Sequence, residues 1–367
     1  MSTEKLRVGV IGVGALGRHH ARILAGMPDV ELVGVADANA QQAESVAVAC
    51  GCEWTPDYRT LIGRIDAASI VVPTFLHRTV AEDLLCRSIP VMVEKPLAGS
   101  VEDGSVLVRL SQEHKIPLQV GHIERFNPAF EAVEARTAAP KYLKCERISP
   151  YAFRSMDIGV VLDLMIHDLE LVLHLVGEMP LRVEAFGVSI VGGHEDCVQA
   201  RLTFPSGCVA DLTANRVSPT VSRSIQCWSE SGCHLADLQT RQVSSFTPGE
   251  QTLRGDLPFD LVRNNRCSPA ELKPEIFTRF IQHEKFATSD EDCLTAELQS
   301  FVDCVRLGRD PLVSGREGLA ALQVAERVLK SVRNHAWDGT AEGRRGPNAL
   351  LAHHLPAIAD DAERRAA

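Results

Sequence analysis

The sequence of 367 residues lacks a long uncharged apolar run and lacks an excess of basic side chains. A membrane-spanning helix needs about 20 consecutive apolar residues, and no stretch of that kind is present. Lysine and arginine number 38 against 48 aspartates and glutamates, which gives a net charge of -10. This balance disfavours a nucleic-acid binder that works through a basic surface. We therefore expect no membrane span and no nucleic-acid partner.

Paired cysteine motifs are also missing. The eleven cysteines form an odd set without a CxxC pair, and Cys50 and Cys52, which flank Gly51, would need more ligands nearby to form a metal site. Such usage favours reduced thiols over a disulfide framework. The N-terminal stretch MSTEKLRVGVIGVG enters a strand without the apolar segment of a signal peptide. We therefore expect a cytoplasmic protein with no bound metal.

The first apolar run is followed by a glycine-rich turn and a helical pattern. Leu6 to Val13 predicts a strand, and the letters GVGALG that begin at Gly12 match the GxGxxG spacing. In this motif Gly12 permits the tight turn, Gly14 lets the backbone approach a pyrophosphate, and Gly17 lets the helix pack close to the strand. The start of the helix then offers free N–H groups to the phosphates. The pattern predicts a dinucleotide site.

Asp37 ends the second predicted strand, Glu31 to Ala36. A carboxylate there can accept hydrogen bonds from the adenosine ribose hydroxyls and repel a 2′-phosphate, which favours NAD over NADP. Alternatively, Asp37 only caps the helix that follows.

Strands and helices continue to alternate as far as Gly121, which predicts a doubly wound parallel sheet of the Rossmann type. Ligands of such sheets bind outside the carboxyl ends of the strands. The residues that we expect at the cofactor are Gly12, Gly14, Ala15, Leu16, Gly17, Asp37, Pro73, Thr74, His77, Glu94 and Lys95. His19 and His20 begin the first helix; they could approach the cofactor, but we expect partly exposed helix histidines.

From about Tyr142 the pattern changes to successive alternating strands with a helix among them, which predicts an α+β domain built on a mostly antiparallel open sheet. An open sheet face commonly becomes a subunit interface, so we expect a homo-oligomer, a dimer or a tetramer. We predict a Rossmann domain over 1–124, a substrate-binding and oligomerisation domain over 125–335, and a polar, flexible tail over 336–367.

One apolar helix of this second domain carries polar side chains four residues apart. Asp163 and His167 share a helix face with Glu170 and His174. The stripe could simply face solvent, or Asp163 and His167 could share a metal ion, although a third ligand is lacking. In the third interpretation, the neutral imidazole of His167 takes the proton of an alcohol while hydride leaves, and Asp163 orients the ring or binds substrate.

Lys95 is the other candidate for acid–base chemistry. It stands in the tripeptide Glu94-Lys95-Pro96 at the end of an apolar run, where Pro96 restrains the backbone. Near an oxidised nicotinamide its ammonium could hydrogen-bond the alcohol oxygen. Alternatively, it is a surface lysine paired with Glu94. The choice of base between Lys95 and His167 stays open.

With these motifs, the sequence resembles the Gfo/Idh/MocA family of sugar and inositol dehydrogenases over about residues 5–335. The resemblance rests on GVGALG, on Glu94-Lys95-Pro96 and on Asp163-Leu-Met-Ile-His167. It implies that Lys95 and His167 are catalytic and that the peptide before Pro96 is often cis. The stretch GHIERFNPA from Gly121 is similar to the members that oxidise carbon 3 of UDP-N-acetylglucosamine.

These observations lead to an NAD-dependent dehydrogenase of a sugar or nucleotide sugar. Arg125 and Asn127 are candidate substrate ligands, or they form an interdomain hydrogen bond, and Arg147 and Arg154 are candidate diphosphate ligands. The alternatives are an inositol or free-sugar dehydrogenase of the same family and a non-catalytic sensor that binds NAD and a sugar. The presence of Lys95, Asp163 and His167 together argues against the sensor, because a protein that only binds its ligands does not need these acid–base groups.

Overall fold

The computed structural model describes residues 4–153, 158–191, 193–340 and 342–350, which divide by packing into two compact units. Unit 1 contains the described residues within Met1–Ala135 and Ala287–Gln323. Unit 2 contains those within Arg136–Phe286 and Val324–Ala367. Within the described ranges, no helix combines the length and the apolar character that crossing a bilayer requires.

Helices and strands account for most of the described chain. The strands are β1 (Leu6–Ile11), β2 (Val30–Ala36), β3 (Glu53–Thr55), β4 (Ala67–Ile70), β5 (Val91–Glu94), β6 (Leu118–Gly121), β7 (Tyr142–Ile148), β8 (Arg182–Val188), β9 (Cys197–Thr203), β10 (Val209–Asn215), β11 (Ser222–Ser229), β12 (Gly232–Asp237), β13 (Gln242–Pro248) and β14 (Ile281–Ala287). The α-helices are α1 (Gly17–Gly26), α2 (Ala40–Cys50), α3 (Thr74–Leu85), α4 (Val101–His114), α5 (Pro128–Glu134), α6 (Ile166–Val176), α7 (Glu250–Leu253), α8 (Pro258–Arg263), α9 (Pro269–Leu272), α10 (Cys293–Leu307) and α11 (Gly315–Asn334).

Unit 1 is built on a parallel sheet with the strand order β3-β2-β1-β4-β5-β6. The apolar residues of β4 and β5 are fully buried, as expected for strands covered by helices on both faces. The order reverses between β1 and β4, and such a reversal opens a crevice at the carboxyl ends of the strands. The predicted Rossmann sheet is confirmed.

Helix α10 belongs to the core of unit 1 although it follows unit 2 in the sequence. Its residues Leu294, Leu298, Phe301 and Val302 are buried in one cluster with apolar residues of β1, β2 and α1. The sequence-based division assigned 287–335 to the second domain, whereas the packing places 287–323 in unit 1. An amphipathic pattern shows that a helix has a buried face but does not show which core that face covers.

Unit 2 is built on a sheet of eight strands with the order β14-β13-β12-β11-β7-β10-β9-β8. Strands β7 and β10 pair in parallel, and the other pairs with a described register are antiparallel. The predicted mostly antiparallel sheet is confirmed. Strands β13 and β14, which the sequence analysis did not predict, extend one end, and the short helices α7 to α9 lie between them in the chain.

Residues after α11 are ordered against unit 2 as far as the structure describes them. Ala336 and Arg345 form an isolated bridge, and the indole N–H of Trp337 donates to the carbonyl of Gly346 at 3.0 Å. The ring of Trp337 meets that of Phe186 edge-on, with centroids 6.0 Å apart. This stretch differs from the predicted flexible tail, because one aromatic side chain finds a partner on the sheet. Residues 351–367 of the predicted tail lie outside the described residues.

Candidate active site

The glycine loop after β1 has the geometry that a dinucleotide site needs. Gly12 has a φ of +86°, and a Cβ added there would lie 2.5 Å from the carbonyl oxygen of Val71. A Cβ added to Gly17 would lie 1.9 Å from the carbonyl oxygen of Gly12, so a side chain there would push α1 away from the loop. A Cβ on Gly14 would meet nothing within 4 Å. Gly12 and Gly17 thus shape the loop, and Gly14 faces open space.

The start of α1 is open to a ligand. Ala15 and Leu16 are exposed, and Leu16 stands at the N-cap, where no side chain caps the helix. No acidic residue lies in the first turn of α1. The N–H groups of Arg18 and His19 bond to the carbonyls of Gly14 and Leu16, and the helix dipole, with no capping side chain, favours an anion at this position.

Asp37 stands just after β2 and is bonded to the glycine loop. Its Oδ2 accepts from the N–H of Val13 at 2.8 Å, and its Oδ1 accepts from the N–H of Asn39 at 2.9 Å. The N-cap of α2 is Asn39, so the alternative that Asp37 caps that helix is wrong. Each carboxylate oxygen keeps a further lone pair for a ligand.

Pro73, Thr74 and His77 follow β4 at the same edge. Pro73 is the N-cap of α3 and Thr74 its first residue. His77 is buried, and its Nδ1 and Nε2 each lie 2.9 Å from a carbonyl oxygen, of Pro96 and Val72 respectively. Burial lowers the pKa of His77. With both nitrogens against backbone, His77 supports the two strand ends and leaves no ring nitrogen for a cofactor.

Glu94 and Lys95 end β5. The Lys95–Pro96 peptide is cis, as the family resemblance implied. Lys95 is half-buried, and its N–H donates to Oε2 of Glu94 at 3.2 Å. A Cβ added to Gly121 of the neighbouring strand would lie 2.9 Å from the Glu94 carboxylate, so the absence of a side chain there makes room for it.

His122 is a buried histidine that the sequence analysis did not single out. Burial, with the charges of Lys95 and Arg125 as smaller causes, lowers its pKa to about 3. Its ring is therefore neutral near neutral pH. The only sequence signal for it is its place inside the GHIERFNPA stretch.

Arg125 and Asn127 are buried at the start of the chain segment after β6. The side-chain oxygen of Asn127 accepts from the N–H of Ala129 at 3.0 Å, and its amide donates to Oε2 of Glu124 at 3.0 Å. The first bond caps α5, and both bonds lie within unit 1. A role of Arg125 and Asn127 toward substrate stays a prediction.

Asp163 lies in a π-helical turn, Val161–Met165, and His167 lies in the first turn of α6. A π-turn holds one extra residue, so the assumed α-helical i, i+4 geometry does not apply across it. Asp163 and Glu170 are buried, whereas His167 and His174 are half-buried, so the stripe is not a solvent-facing one. Two buried carboxylates in an apolar helix need partners or a function.

Glu195 accepts a hydrogen bond from the first residue of this π-helical turn, and no pattern in the sequence predicts this contact. Its Oε1 accepts from the N–H of Val161 at 3.2 Å, and burial raises its pKa. A Cβ on Gly159 would lie 1.9 Å from the same oxygen, so Gly159 leaves space for the carboxylate.

Arg147 does not have the role that the sequence predicted. It is buried with Asp168, and its guanidinium donates to both carboxylate oxygens at 2.7 to 3.2 Å. A buried pair of this kind is costly to open, so Arg147 is not available to a diphosphate. Arg154, the second predicted diphosphate ligand, lies outside the described residues.

The chain matches two family models of known proteins. The model described as an oxidoreductase family with an NAD-binding Rossmann fold, Gfo/Idh/MocA, matches residues 6–122, and that of its C-terminal alpha/beta domain matches 149–337. The predicted NAD cofactor is thereby confirmed.

Individual relatives resemble most of the chain. The chain is 33% identical to UDP-N-acetylglucosamine 3-dehydrogenase of Acidithiobacillus ferrooxidans over 89% of this chain and 97% of that enzyme. A solved structure of that enzyme has a TM-score of 0.78 at 32% identity and covers 89% of this chain and 98% of its own. The scyllo-inositol 2-dehydrogenase (NAD(+)) of Bacillus subtilis is 29% identical over 90% of this chain and 95% of that protein.

The strand order, the glycine loop and the two family matches agree with one another along the chain. The protein belongs to the Gfo/Idh/MocA family of NAD-binding oxidoreductases.

Proposed function

We propose that the protein oxidises carbon 3 of UDP-N-acetylglucosamine with NAD and yields the 3-keto sugar. The observation that carries the proposal is the similarity over nearly the whole chain to an enzyme with that name. The half-buried Lys95 at the carboxyl end of β5 supports it, because this edge of the sheet is where the nicotinamide of a Rossmann domain is bound.

The glycine loop, the start of α1 and Asp37 would hold the cofactor. Gly14 offers an open backbone surface and α1 an uncapped N-terminus, which together fit a pyrophosphate. Asp37 is anchored to the loop and fits the ribose hydroxyls. NAD supplies a hydride acceptor, and the protein supplies the acid–base groups.

Lys95 and His167 are the proposed acid–base groups. One of them takes the hydroxyl proton and the other hydrogen-bonds the oxygen, and a positioned group of this kind contributes roughly 10²-fold to the rate or more. Asp163, which is buried in the π-turn, is proposed to bind a substrate hydroxyl or to orient the imidazole.

Alanine variants test these roles. Lys95→Ala and His167→Ala should fold and bind NAD while losing about 10²-fold or more in turnover. His174→Ala, on the same helix as His167, is the matched control and should keep its rate. Chemical rescue then identifies the base: added imidazole should restore His167→Ala, or an added alkylamine Lys95→Ala. Near-wild-type turnover in either variant would refute the role of that residue.

The nucleotide part of the substrate should contribute to the rate. Binding energy from a remote group can be used to hold the reacting ring, so a truncated substrate loses turnover as well as affinity. We expect UDP-N-acetylglucosamine to exceed free N-acetylglucosamine and myo-inositol at least about a hundredfold in kcat/KM, which is roughly 2.7 kcal/mol. The formation of NADH is the assay, and a carbonyl reagent traps the product.

The substrate panel also separates the alternatives. Faster turnover of an inositol than of any nucleotide sugar would favour an inositol dehydrogenase, the activity named in a relative that is 29% identical. Absence of turnover with intact NAD binding would favour a sensor.

We further propose a homo-oligomer that uses the sheet of unit 2. Strand β11 exposes Trp228 to 48%, and Phe186 of β8 is exposed to 44%. Large apolar side chains on an open sheet fit a subunit interface. Analytical ultracentrifugation tests this, and a monomer at micromolar concentration would contradict it.

A further inference from the structure

Three buried polar side chains of unit 1 form a row beneath the edge that carries Lys95. Nδ1 of His20 on α1 lies 2.9 Å from Oγ of Ser69 on β4, and Nε2 of His20 lies 3.2 Å from Oε1 of Glu94 on β5. Ser69 and His20 are fully buried, and Glu94 is 8% exposed. The expectation that His20 is a partly exposed helix residue is therefore wrong, whereas His19 beside it is exposed.

The carboxylate of Glu94 and the hydroxyl of Ser69, at the two ends of this row, determine which ring nitrogen of His20 carries the proton. An ionised carboxylate only accepts hydrogen bonds, so its approach to Nε2 of His20 is favourable when Nε2 carries the proton. In the neutral ring Nδ1 is then an acceptor, and the hydroxyl of Ser69 is its donor. The other oxygen of Glu94, Oε2, accepts from the N–H of Lys95. Oε2 of Glu94 thus accepts a backbone N–H, and Oε1 lies close to a ring nitrogen of His20.

The arrangement has a physical reason. A carboxylate removed from water is stable as an anion only when hydrogen bonds or opposite charge replace its hydration. Strand β6 packs against it with Gly121, which brings backbone rather than a side-chain donor. The imidazole of His20 is the side chain that lies within ion-pair distance of Oε1 of Glu94, at 3.2 Å, although its Nε2 makes no hydrogen bond within the described residues, and Ser69 contacts the other ring nitrogen.

We propose that Ser69 and His20 are positioning residues that hold Glu94 against the amide of Lys95 and thereby set the direction of the Lys95 side chain. The inference rests on the proposed role of Lys95 in the reaction. Neither Ser69 nor His20 is assigned contact with substrate or cofactor, so their effect should fall on kcat rather than on binding.

Matched substitutions of His20 test the proposal. His20→Leu keeps bulk but removes the ring nitrogen that lies 3.2 Å from Glu94, whereas His20→Gln places an amide N–H near the position of Nε2. We expect His20→Leu to lower kcat by about tenfold, which corresponds to about 1.4 kcal/mol in the activation free energy. The Kd for NAD, measured by calorimetry, and the KM for UDP-N-acetylglucosamine should change less than about threefold. His20→Gln should recover most of the lost kcat, and His114→Leu is the control, because His114 is exposed at the end of α4.

A spectroscopic measurement tests the proton positions without turnover. In ¹⁵N-histidine-labelled protein, the ring signal that disappears in His20→Gln identifies His20 among the 13 histidines. It should show the Nε2–H tautomer, and Ser69→Ala should shift it toward a tautomer mixture. A wild-type ring protonated at Nδ1 alone would overturn the proposal, because the lone pair of Nε2 would then face the carboxylate of Glu94 at 3.2 Å and repel it.

The kinetic outcomes are equally decisive. Unchanged kcat in His20→Leu overturns the proposal, as does an equal loss in His20→Leu and His20→Gln. If His20→Leu does not fold, Ser69→Ala replaces it: a kcat loss of about threefold or more with unchanged NAD affinity supports positioning, and unchanged kcat overturns it. Full turnover in Lys95→Ala would instead refute the proposed role of Lys95, and no turnover of UDP-N-acetylglucosamine by the unaltered protein would refute the proposed function. In both cases the tautomer result would still judge the contact of His20 with Glu94.

Discussion

Replacing His122 with glutamine is expected to make unit 1 less sensitive to acid. The pKa of His122 is lowered from 6.5 to about 3, chiefly by burial. Below pH 6.5 the unfolded chain therefore binds a proton that the folded unit does not bind. Stability falls as the pH falls through the window from 6.5 to 3.

The magnitude follows from these two pKa values. The difference of 3.5 units between 6.5 and 3 corresponds to an upper limit of about 5 kcal/mol, since one unit is worth about 1.4 kcal/mol. Between pH 7 and pH 5 the free energy of unfolding falls by about 2 kcal/mol through this group alone. His122→Gln cannot titrate, so its free energy of unfolding should change about 2 kcal/mol less over that interval.

Urea unfolding at the two pH values measures this difference. With Trp228 and Trp337 replaced by phenylalanine, the fluorescence of Trp54 reports on unit 1. The control is His114→Gln, because His114 is exposed at the end of α4. Lys95→Met should also reduce the acid sensitivity, but by less, because the charge of Lys95 is a smaller cause than burial.

An unchanged acid sensitivity in His122→Gln would refute the reasoning. It would mean that the His122 ring reaches solvent, or gains a proton, in the folded protein.

Three further predictions concern the cofactor loop and unit 2. NAD should bind at least about tenfold more tightly than NADP, a difference of about 1.4 kcal/mol, and Asp37→Ser should reduce that preference. Equal affinities of the protein for NAD and NADP, measured by calorimetry, would contradict this prediction. Gly14→Ala should keep the apo melting temperature and lose NAD affinity, whereas Gly17→Ala should lower the melting temperature without any ligand, because its Cβ would lie 1.9 Å from a carbonyl oxygen. Arg147→Met should lower the free energy of unfolding of unit 2 by about 3 to 5 kcal/mol, because it leaves the buried carboxylate of Asp168 without this cation. The added substitution Asp168→Asn should recover part of that loss. An unaltered denaturation midpoint in Arg147→Met would show that the ion pair does not contribute to stability.

The sequence by itself determined the Rossmann fold, the cofactor and the strand ends that carry Glu94 and Lys95. These features depend on local patterns, because glycine spacing and runs of β-branched residues act through the backbone of neighbouring residues. The prediction that Gly12 allows a tight turn is thus matched by a φ of +86°. The alternating strands from Tyr142 onward identified the second sheet for the same reason.

Only the tertiary structure decided which polar side chains are available for chemistry. Arg147 and His77 look like ligands in the sequence, but Arg147 is paired with Asp168, and both ring nitrogens of His77 lie against backbone carbonyls. His20 looks like an exposed helix residue, yet it is fully buried beside Glu94. Partners such as Ser69 and His20 are 49 residues apart in the chain. Burial and hydrogen bonding depend on contacts between such distant segments, and a pattern that is local in the sequence contains no information on them.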